Sequence, residues 1–140
     1  MPLEYTLRKY QKNKRELALI DASLDRMSTK LSEVAIVSGK VTKSSDDFPY
    51  IEEHISVEMA EPREADRIRK KIAEKEVRRS EVVQEMLEVE EYIERMPDSM
   101  DKQIFEMVFL DGMTQEEVGK LTGYTQARVS QIVRSAIEDL

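Results

Sequence analysis

Two series of apolar residues, offset by three positions, recur every seven residues through the first third of the chain: Leu3, Tyr10, Leu17, Leu24 and Leu31, then Ile20, Met27 and Val34. A seven-residue repeat of this kind is typical of the buried seam of a coiled coil. It predicts a helix from Leu3 to about Glu33. Asn13 is the polar exception in the seam, a feature that fixes register or partner number.

The pattern changes after Val34. The stretch "VAIVSGKV" (34–41) is rich in β-branched residues, and "HISVEM" (54–59) alternates apolar and polar side chains. The two stretches predict a short β ribbon at the tip of the helical region. Between them lies the polar loop "KSSDDFPY" (43–50), and we expect Phe48, Tyr50 and Ile51 to pack against the ribbon.

Helical spacing resumes at Pro62, the expected start of a second long helix. Its apolar seam residues are Ala65, Ile68, Ile72, Val82, Met86, Val89, Ile93 and Met96. Two such helices joined by a connection of about 25 residues favour an antiparallel hairpin. Lys75 and Arg79 interrupt the second seam. Folding the chain about residue 50 brings Arg79 near Asp21 and Asp25; alternatively, both bases extend out of the seam on their aliphatic stems.

The residues after "MPDS" (96–99) predict three short helices. Asp98 or Ser99 can cap the first, which runs from about Met100 to Leu110 and stops at Gly112. Thr114 and Glu117 have the spacing of a capping box, and Thr125 can cap a third helix. Gly119 is expected where two helices touch, and Gly123 in the turn between them. Apolar residues at the positions that hold such helices together are Val118, Tyr124, Val129 and Ile132.

The chain is therefore expected to be mainly α-helical. A coiled-coil hairpin would occupy residues 1–97, with the ribbon and loop at about 35–62, and a three-helix helix-turn-helix domain would occupy residues 98–140. A small bundle used only for packing is the alternative for the C-terminal domain.

Composition narrows the function classes. The 140 residues include no cysteine and a single histidine, His54. Thiolate catalysis, zinc fingers and disulfides are excluded, and we expect no enzyme activity, metal or cofactor. No apolar run approaches the length of a membrane span, and no leader peptide is visible, so a cytoplasmic protein is expected.

Charge is distributed unevenly. The net charge is −7, and residues 98–140 hold eight acidic and four basic side chains, a local charge of −4. The segment from Lys120 to Ser135 nevertheless contains no acid. A second basic run, without acids, comprises Arg8, Lys9, Lys12, Lys14 and Arg15. This run is either a second phosphate contact, a docking strip or a solvated helix face.

The segment "GMTQEEVGKLTGYTQARVSQIVRSAIEDL" (112–140) resembles region 4 of sigma factors, which reads the −35 promoter element. The resemblance implies that Gln126, Ala127, Arg128 and Gln131 face the major groove. It also implies phosphate contacts near the caps Thr114 and Thr125. Gln126 and Ser130 stand where sigma factors often carry Arg, and Ala127 where they often carry Glu, so no promoter sequence is transferred. The chain's layout resembles small phage and prophage regulators of Gram-positive bacteria.

These patterns predict a DNA-binding transcription regulator, phage- or prophage-encoded, that assembles as a homodimer or higher oligomer through its coiled coil. The expected DNA-binding residues are Thr114, Gln115, Lys120, Thr125, Gln126, Ala127, Arg128, Ser130, Gln131 and Arg134. Double-stranded DNA is the expected partner, with RNA polymerase a second one. The alternatives are a polymerase-binding adaptor that does not read DNA and a phage DNA-packaging recognition subunit.

Overall fold

A computed structural model describes the backbone of residues 2–44 and 51–140, and the side chains of residues 2–34 and 63–140. Two long helices come first, α1 (Leu3–Ser44) and α2 (Ile51–Glu94). They are followed by α3 (Met100–Phe105), one π-helical turn (Glu106–Leu110), α4 (Gln115–Thr122) and α5 (Gln126–Glu138). The predicted α-helical hairpin and C-terminal helical domain are confirmed.

The predicted ribbon is wrong for the part of the chain that is described. Residues 34–41 belong to α1 and residues 54–59 belong to α2, which begins at Ile51 and not at Pro62. Val and Ile lose only about 0.5 kcal/mol each in a helix relative to Ala, whereas an isolated two-stranded hairpin is marginal in water. The loop residues 45–50 and the predicted packing of Phe48, Tyr50 and Ile51 lie outside the described residues.

The chain divides into two compact units, Met1–Leu17 with Glu81–Leu140, and Ala18–Ser80. In the second unit, α1 and α2 bury Ile20, Ala65 and Ile68. Arg79 Nε donates a hydrogen bond to Asp21 Oδ1 at 2.7 Å. The predicted approach of Arg79 to Asp21 is thus confirmed.

The first unit has one continuous hydrophobic core. Its buried side chains come from the start of α1, the end of α2 and all of the following helices: Leu7, Tyr10, Val89, Ile93, Ile104, Phe105, Phe109, Val118, Val129, Ile132 and Val133. The Phe105 ring lies 5.0 Å from the Phe109 ring and 6.5 Å from the Tyr92 ring, centroid to centroid. The C-terminal helices therefore share their core with the paired stretches of α1 and α2.

A polar layer crosses the helix pair in the same unit. Asn13 is fully buried, and its Nδ2 donates to Glu85 Oε2 at 2.9 Å. Lys9 Nζ lies 3.3 Å from the same carboxylate oxygen. Asn13 Oδ1 has no hydrogen-bond partner among the described residues. Asn13, the polar residue of the apolar seam, therefore finds its partner within the same chain. This polar layer fixes the register of α1 against α2.

A second cross-helix bond joins Tyr10 to α2. The Tyr10 hydroxyl donates to Glu90 Oε1 at 2.8 Å. Burial of the phenol, with the hydrogen bond to Glu90 and its negative charge, raises the pKa of Tyr10 to about 12.

We expect the raised pKa of Tyr10 to make the protein lose stability in alkali. An unfolded tyrosine ionises near pH 10, so between about pH 10 and pH 12 the folded state holds a proton that the unfolded state has lost. The contribution of protonated Tyr10 to the free energy of unfolding is complete below pH 10 and is lost as the pH rises to about 12. Relative to Tyr10→Phe, the wild type should lose about 2 kcal/mol across this range. Urea unfolding of both proteins on either side of the range measures this, and parallel pH profiles would contradict it.

Candidate nucleic-acid interface

Helix α4 begins where the sequence predicts. Thr114 is its N-cap, with extended backbone angles (φ −71°, ψ 155°), and its Oγ1 accepts a hydrogen bond from the Glu117 amide at 3.2 Å. Because four amides at a helix start lack partners within the helix, this hydroxyl satisfies one of them. Ser99 caps α3 in the same way, accepting from the Lys102 amide at 3.3 Å.

The turn between α4 and α5 depends on two glycines. Gly123 has φ +80°, and its amide donates to the Gly119 carbonyl at 2.9 Å. At Gly119, a Cβ would lie 2.7 Å from the Tyr124 carbonyl oxygen. Thr122 completes the turn, since its Oγ1 donates to the Val118 carbonyl and accepts from the Tyr124 amide. Both predicted roles, close approach at Gly119 and a left-handed turn at Gly123, are confirmed.

Helix α5 is capped by Thr125, whose Oγ1 accepts from the Arg128 amide at 3.1 Å. Val129, Ile132 and Val133 form its buried face. The predicted packing role of the Tyr124 side chain is wrong, because its exposed fraction is 37%. The close approach at this point uses the Tyr124 backbone carbonyl beside Gly119, which leaves the ring outside the core.

The outward face of α5 follows from its buried face. At 3.6 residues per turn, Ala127, Gln131 and Arg134 lie opposite Val129, Ile132 and Val133. Eight of the ten predicted contact residues are exposed: Thr114, Lys120, Thr125, Gln126, Ala127, Arg128, Gln131 and Arg134. Gln115 and Ser130 are half-buried. All ten belong to the first compact unit.

Two hydrogen bonds along α5 orient its basic side chains. Arg128 Nη1 donates to Gln131 Oε1 at 3.0 Å, and Arg134 Nη2 donates to Ser130 Oγ at 3.4 Å. Lys120, on α4, lies 3.6 Å from Glu116, which offsets part of its charge. The two arginines of α5 are therefore the main positive groups of this surface.

One residue that positions the site was not visible in the sequence. Gln11 of α1 donates through Nε2 to the carbonyls of Phe109, at 2.7 Å, and Leu110, at 3.0 Å. These carbonyls lie at the end of the π-helical turn, immediately before the segment that leads to α4. Gln11 is about a hundred positions earlier in the chain, and no local pattern marks such a contact.

Within residues 2–34 and 63–140, no three His, Cys, Asp or Glu side chains are grouped so that they could hold a metal ion. In the described part of the chain, no helix has the length and apolar character needed to cross a membrane.

Comparison with known proteins gives one match. Residues 98–140 match the family described as Sigma-70, region 4. This family is a DNA-binding helix-turn-helix domain with a regulatory and not a catalytic role. Comparisons with curated proteins and with solved structures gave no match. The family match confirms the predicted resemblance for the C-terminal segment and does not extend into residues 1–97.

Proposed function

We propose that this chain, whose residues 98–140 form a DNA-binding domain of the sigma region 4 type, is a sequence-specific transcription regulator. The observation that carries the proposal is the exposed face of α5, where Ala127, Gln131 and Arg134 lie opposite the buried residues. A capped helix with such a face after a glycine-containing turn fits the major groove of B-DNA.

The exposed side chains of α5 suit base recognition. A glutamine such as Gln126 or Gln131 can bond an adenine edge through two hydrogen bonds, and an arginine such as Arg128 or Arg134 can bond guanine or a phosphate. The exposed N-terminal ends of α4 and α5, at Thr114 and Thr125, suit phosphate contacts because amides point outward there. Ala127 is small enough to allow close approach to a base.

Residues 98–140 alone should bind DNA weakly. Phosphate neutralisation supplies most of the affinity for DNA, and residues 98–140 carry a net charge of −4. The basic groups near the reading face are few: Lys120, Arg128 and Arg134. The regulator therefore needs additional contacts from outside this segment, from a second copy or from a larger complex.

We further propose that the protein acts in the cytoplasm and belongs to the phage or prophage regulators that its layout resembles. Oligomerisation stays a prediction. In a dimer, two copies of α5 would meet half-sites about 34 Å apart, or a multiple of that distance.

A polymerase-binding adaptor is the second candidate, and two observations favour it. The C-terminal segment is acidic, and Leu121 of α4 offers an exposed apolar side chain, with an exposed fraction of 68%. Capture of RNA polymerase that survives substitution of Gln131 and Arg134 would support the adaptor. Loss of capture with Leu121→Ala would place the contact.

We expect Gln131→Ala to weaken binding to a preferred DNA site by about 1–3 kcal/mol, because a lost bidentate base contact has that cost. The preferred site is first obtained by selection from random duplex DNA. Binding of the full chain to this duplex and to a scrambled duplex is then measured by fluorescence anisotropy. The loss should be confined to the selected duplex.

Gln103→Ala is the matched control, because Gln103 is an exposed glutamine on α3. It should leave both affinities unchanged. Arg128→Ala and the double variant should give losses that do not add, since the two side chains share a hydrogen bond. Equal affinity of the wild type for both duplexes would contradict sequence-specific reading.

A further inference from the structure

The start of α1 borders α5, the helix proposed to read DNA, which we call the recognition helix. An open groove in the first unit is lined on one side by Glu4 and Arg8 of α1, and on the other by Ser130 and Arg134 of α5. Gln115, at the start of α4, lies in the same groove. Arg134 belongs both to this groove and to the outward face of α5, so α1 flanks one edge of the reading surface.

The basic run of α1 separates into two groups in the structure. Lys9 is largely buried and lies 3.3 Å from the Glu85 carboxylate, so its charge is answered within the protein. Arg8, Lys12 and Arg15 are exposed and recur at intervals of four and three residues, which places them on one helix face. Lys14 is exposed but points away from that face. We call Arg8, Lys12 and Arg15 the α1 stripe.

We propose that the α1 stripe is a second DNA contact, which grips the phosphate backbone beside the groove that α5 reads. The proposal rests on the proposed function, since it assigns to DNA a surface outside the helix-turn-helix. The stripe begins at Arg8 in the shared groove and extends for about 10 Å along α1. Each DNA strand carries one charge per 3.4 Å of helix axis, so a stripe of this length can reach more than one phosphate.

The α1 stripe adds positive charge that the C-terminal segment lacks. It places three arginine or lysine side chains in the same compact unit as the recognition helix. Arg8, the first member, pairs with Glu4, whose Oε1 lies 3.2 Å from Arg8 Nη2, and Glu138 of α5 lines the same groove. The Arg8 side chain retains 65% exposure in this pair, so the guanidinium is accessible to a phosphate that replaces the carboxylate.

The test is a salt titration of DNA binding by the full chain. The stripe variant carries Arg8→Gln, Lys12→Gln and Arg15→Gln. Its matched control carries Lys14→Gln, Lys70→Gln and Lys71→Gln, three exposed lysines outside the stripe, so both variants change net charge equally. Circular dichroism verifies that each variant keeps the helical content of the wild type. Affinity for the selected and scrambled duplexes is measured at several salt concentrations.

The stripe variant should lower the slope of log affinity against log salt by about 2–3, since each lost phosphate contact removes about 0.9. The loss should be the same on both duplexes, because phosphate contacts carry no sequence information. The control should keep the wild-type slope. A stripe variant that keeps the wild-type slope would overturn the proposal and leave sequence reading by α5 intact.

A variant that is expected to gain DNA affinity provides an independent test. Glu4→Gln removes the carboxylate that competes for Arg8, and it should raise affinity for both duplexes about two- to fivefold. A folding defect cannot produce this result. If neither duplex is preferred by the wild type but the stripe variant still lowers the slope, the stripe proposal stands and sequence-specific regulation fails. Unchanged or weaker binding by Glu4→Gln would count against the stripe.

Discussion

Residues 98–140, expressed alone, are expected not to form a stable folded domain. The segment contains all of α3, α4 and α5, but its core is completed by Leu7 and Tyr10 from α1 and by Val89 and Ile93 from α2. Without these four side chains, the apolar faces of Ile104 and Phe105 would be exposed to water. Circular dichroism of the fragment should show reduced helix content and no cooperative thermal transition.

The expected size of the effect follows from burial. A fully buried side chain of this size contributes about 1.5–3 kcal/mol, so the four together contribute about 6–12 kcal/mol. The stability of a whole domain is only about 5–15 kcal/mol. Removing the four partners therefore takes away most of the free energy that favours the folded state.

The control keeps the core and removes the rest of the helix pair. Residues 1–17 and 81–140 form one compact unit, and a flexible linker of about six residues can join antiparallel helices. The joined protein should fold cooperatively and bind the same DNA sequence as the full chain. A cooperative transition in the 98–140 fragment, near that of the joined protein, would refute the prediction.

Gly119→Ala is expected to destabilise the first unit by about 3 kcal/mol and to abolish DNA binding. The added Cβ would lie 2.7 Å from the Tyr124 carbonyl oxygen, closer than such atoms approach. The obstacle is backbone and cannot rotate away, so α4 and α5 must separate. The usual gain from replacing a helical glycine with alanine, about 1 kcal/mol, offsets only part of this cost.

Gly123 provides the comparison within the same turn. A Cβ there would meet nothing within 4 Å, and the only constraint is its φ of +80°. Asparagine tolerates this conformation, so Gly123→Asn should cost about 1 kcal/mol or less. Urea unfolding measures both variants. Similar losses in the two would show that space at Gly119 is not what limits the turn.

The local features of the C-terminal helices were predictable because each depends on residues a few positions apart. A threonine cap acts on an amide three residues on, as at Thr114 and Thr125. A glycine indicates a close approach of two backbones, as at Gly119, or a left-handed backbone angle, as at Gly123. The pairing of α1 with α2 was predictable from the seven-residue repeat, and so was the bond between Arg79 and Asp21.

Features that depend on distant partners were not predictable. Gln11 holds the carbonyls of Phe109 and Leu110, and nothing near either segment indicates the other. The ribbon prediction failed because a short alternating stretch can also fit a helix: Ile51, Ile55 and Met59 recur at four-residue spacing. Sequence periodicity also could not show that α1 and α2 complete the core of the C-terminal helices.

The shared core has a consequence for synthesis of the protein on the ribosome. Leu7 and Tyr10 are made well before their core partners Val129, Ile132 and Val133. At ordinary translation speeds the early residues wait on the order of ten seconds for the late ones. Under the proposed function, recognition of DNA is therefore delayed until α5 has been made, and a prematurely terminated product that lacks α5 would not compete for the same sites.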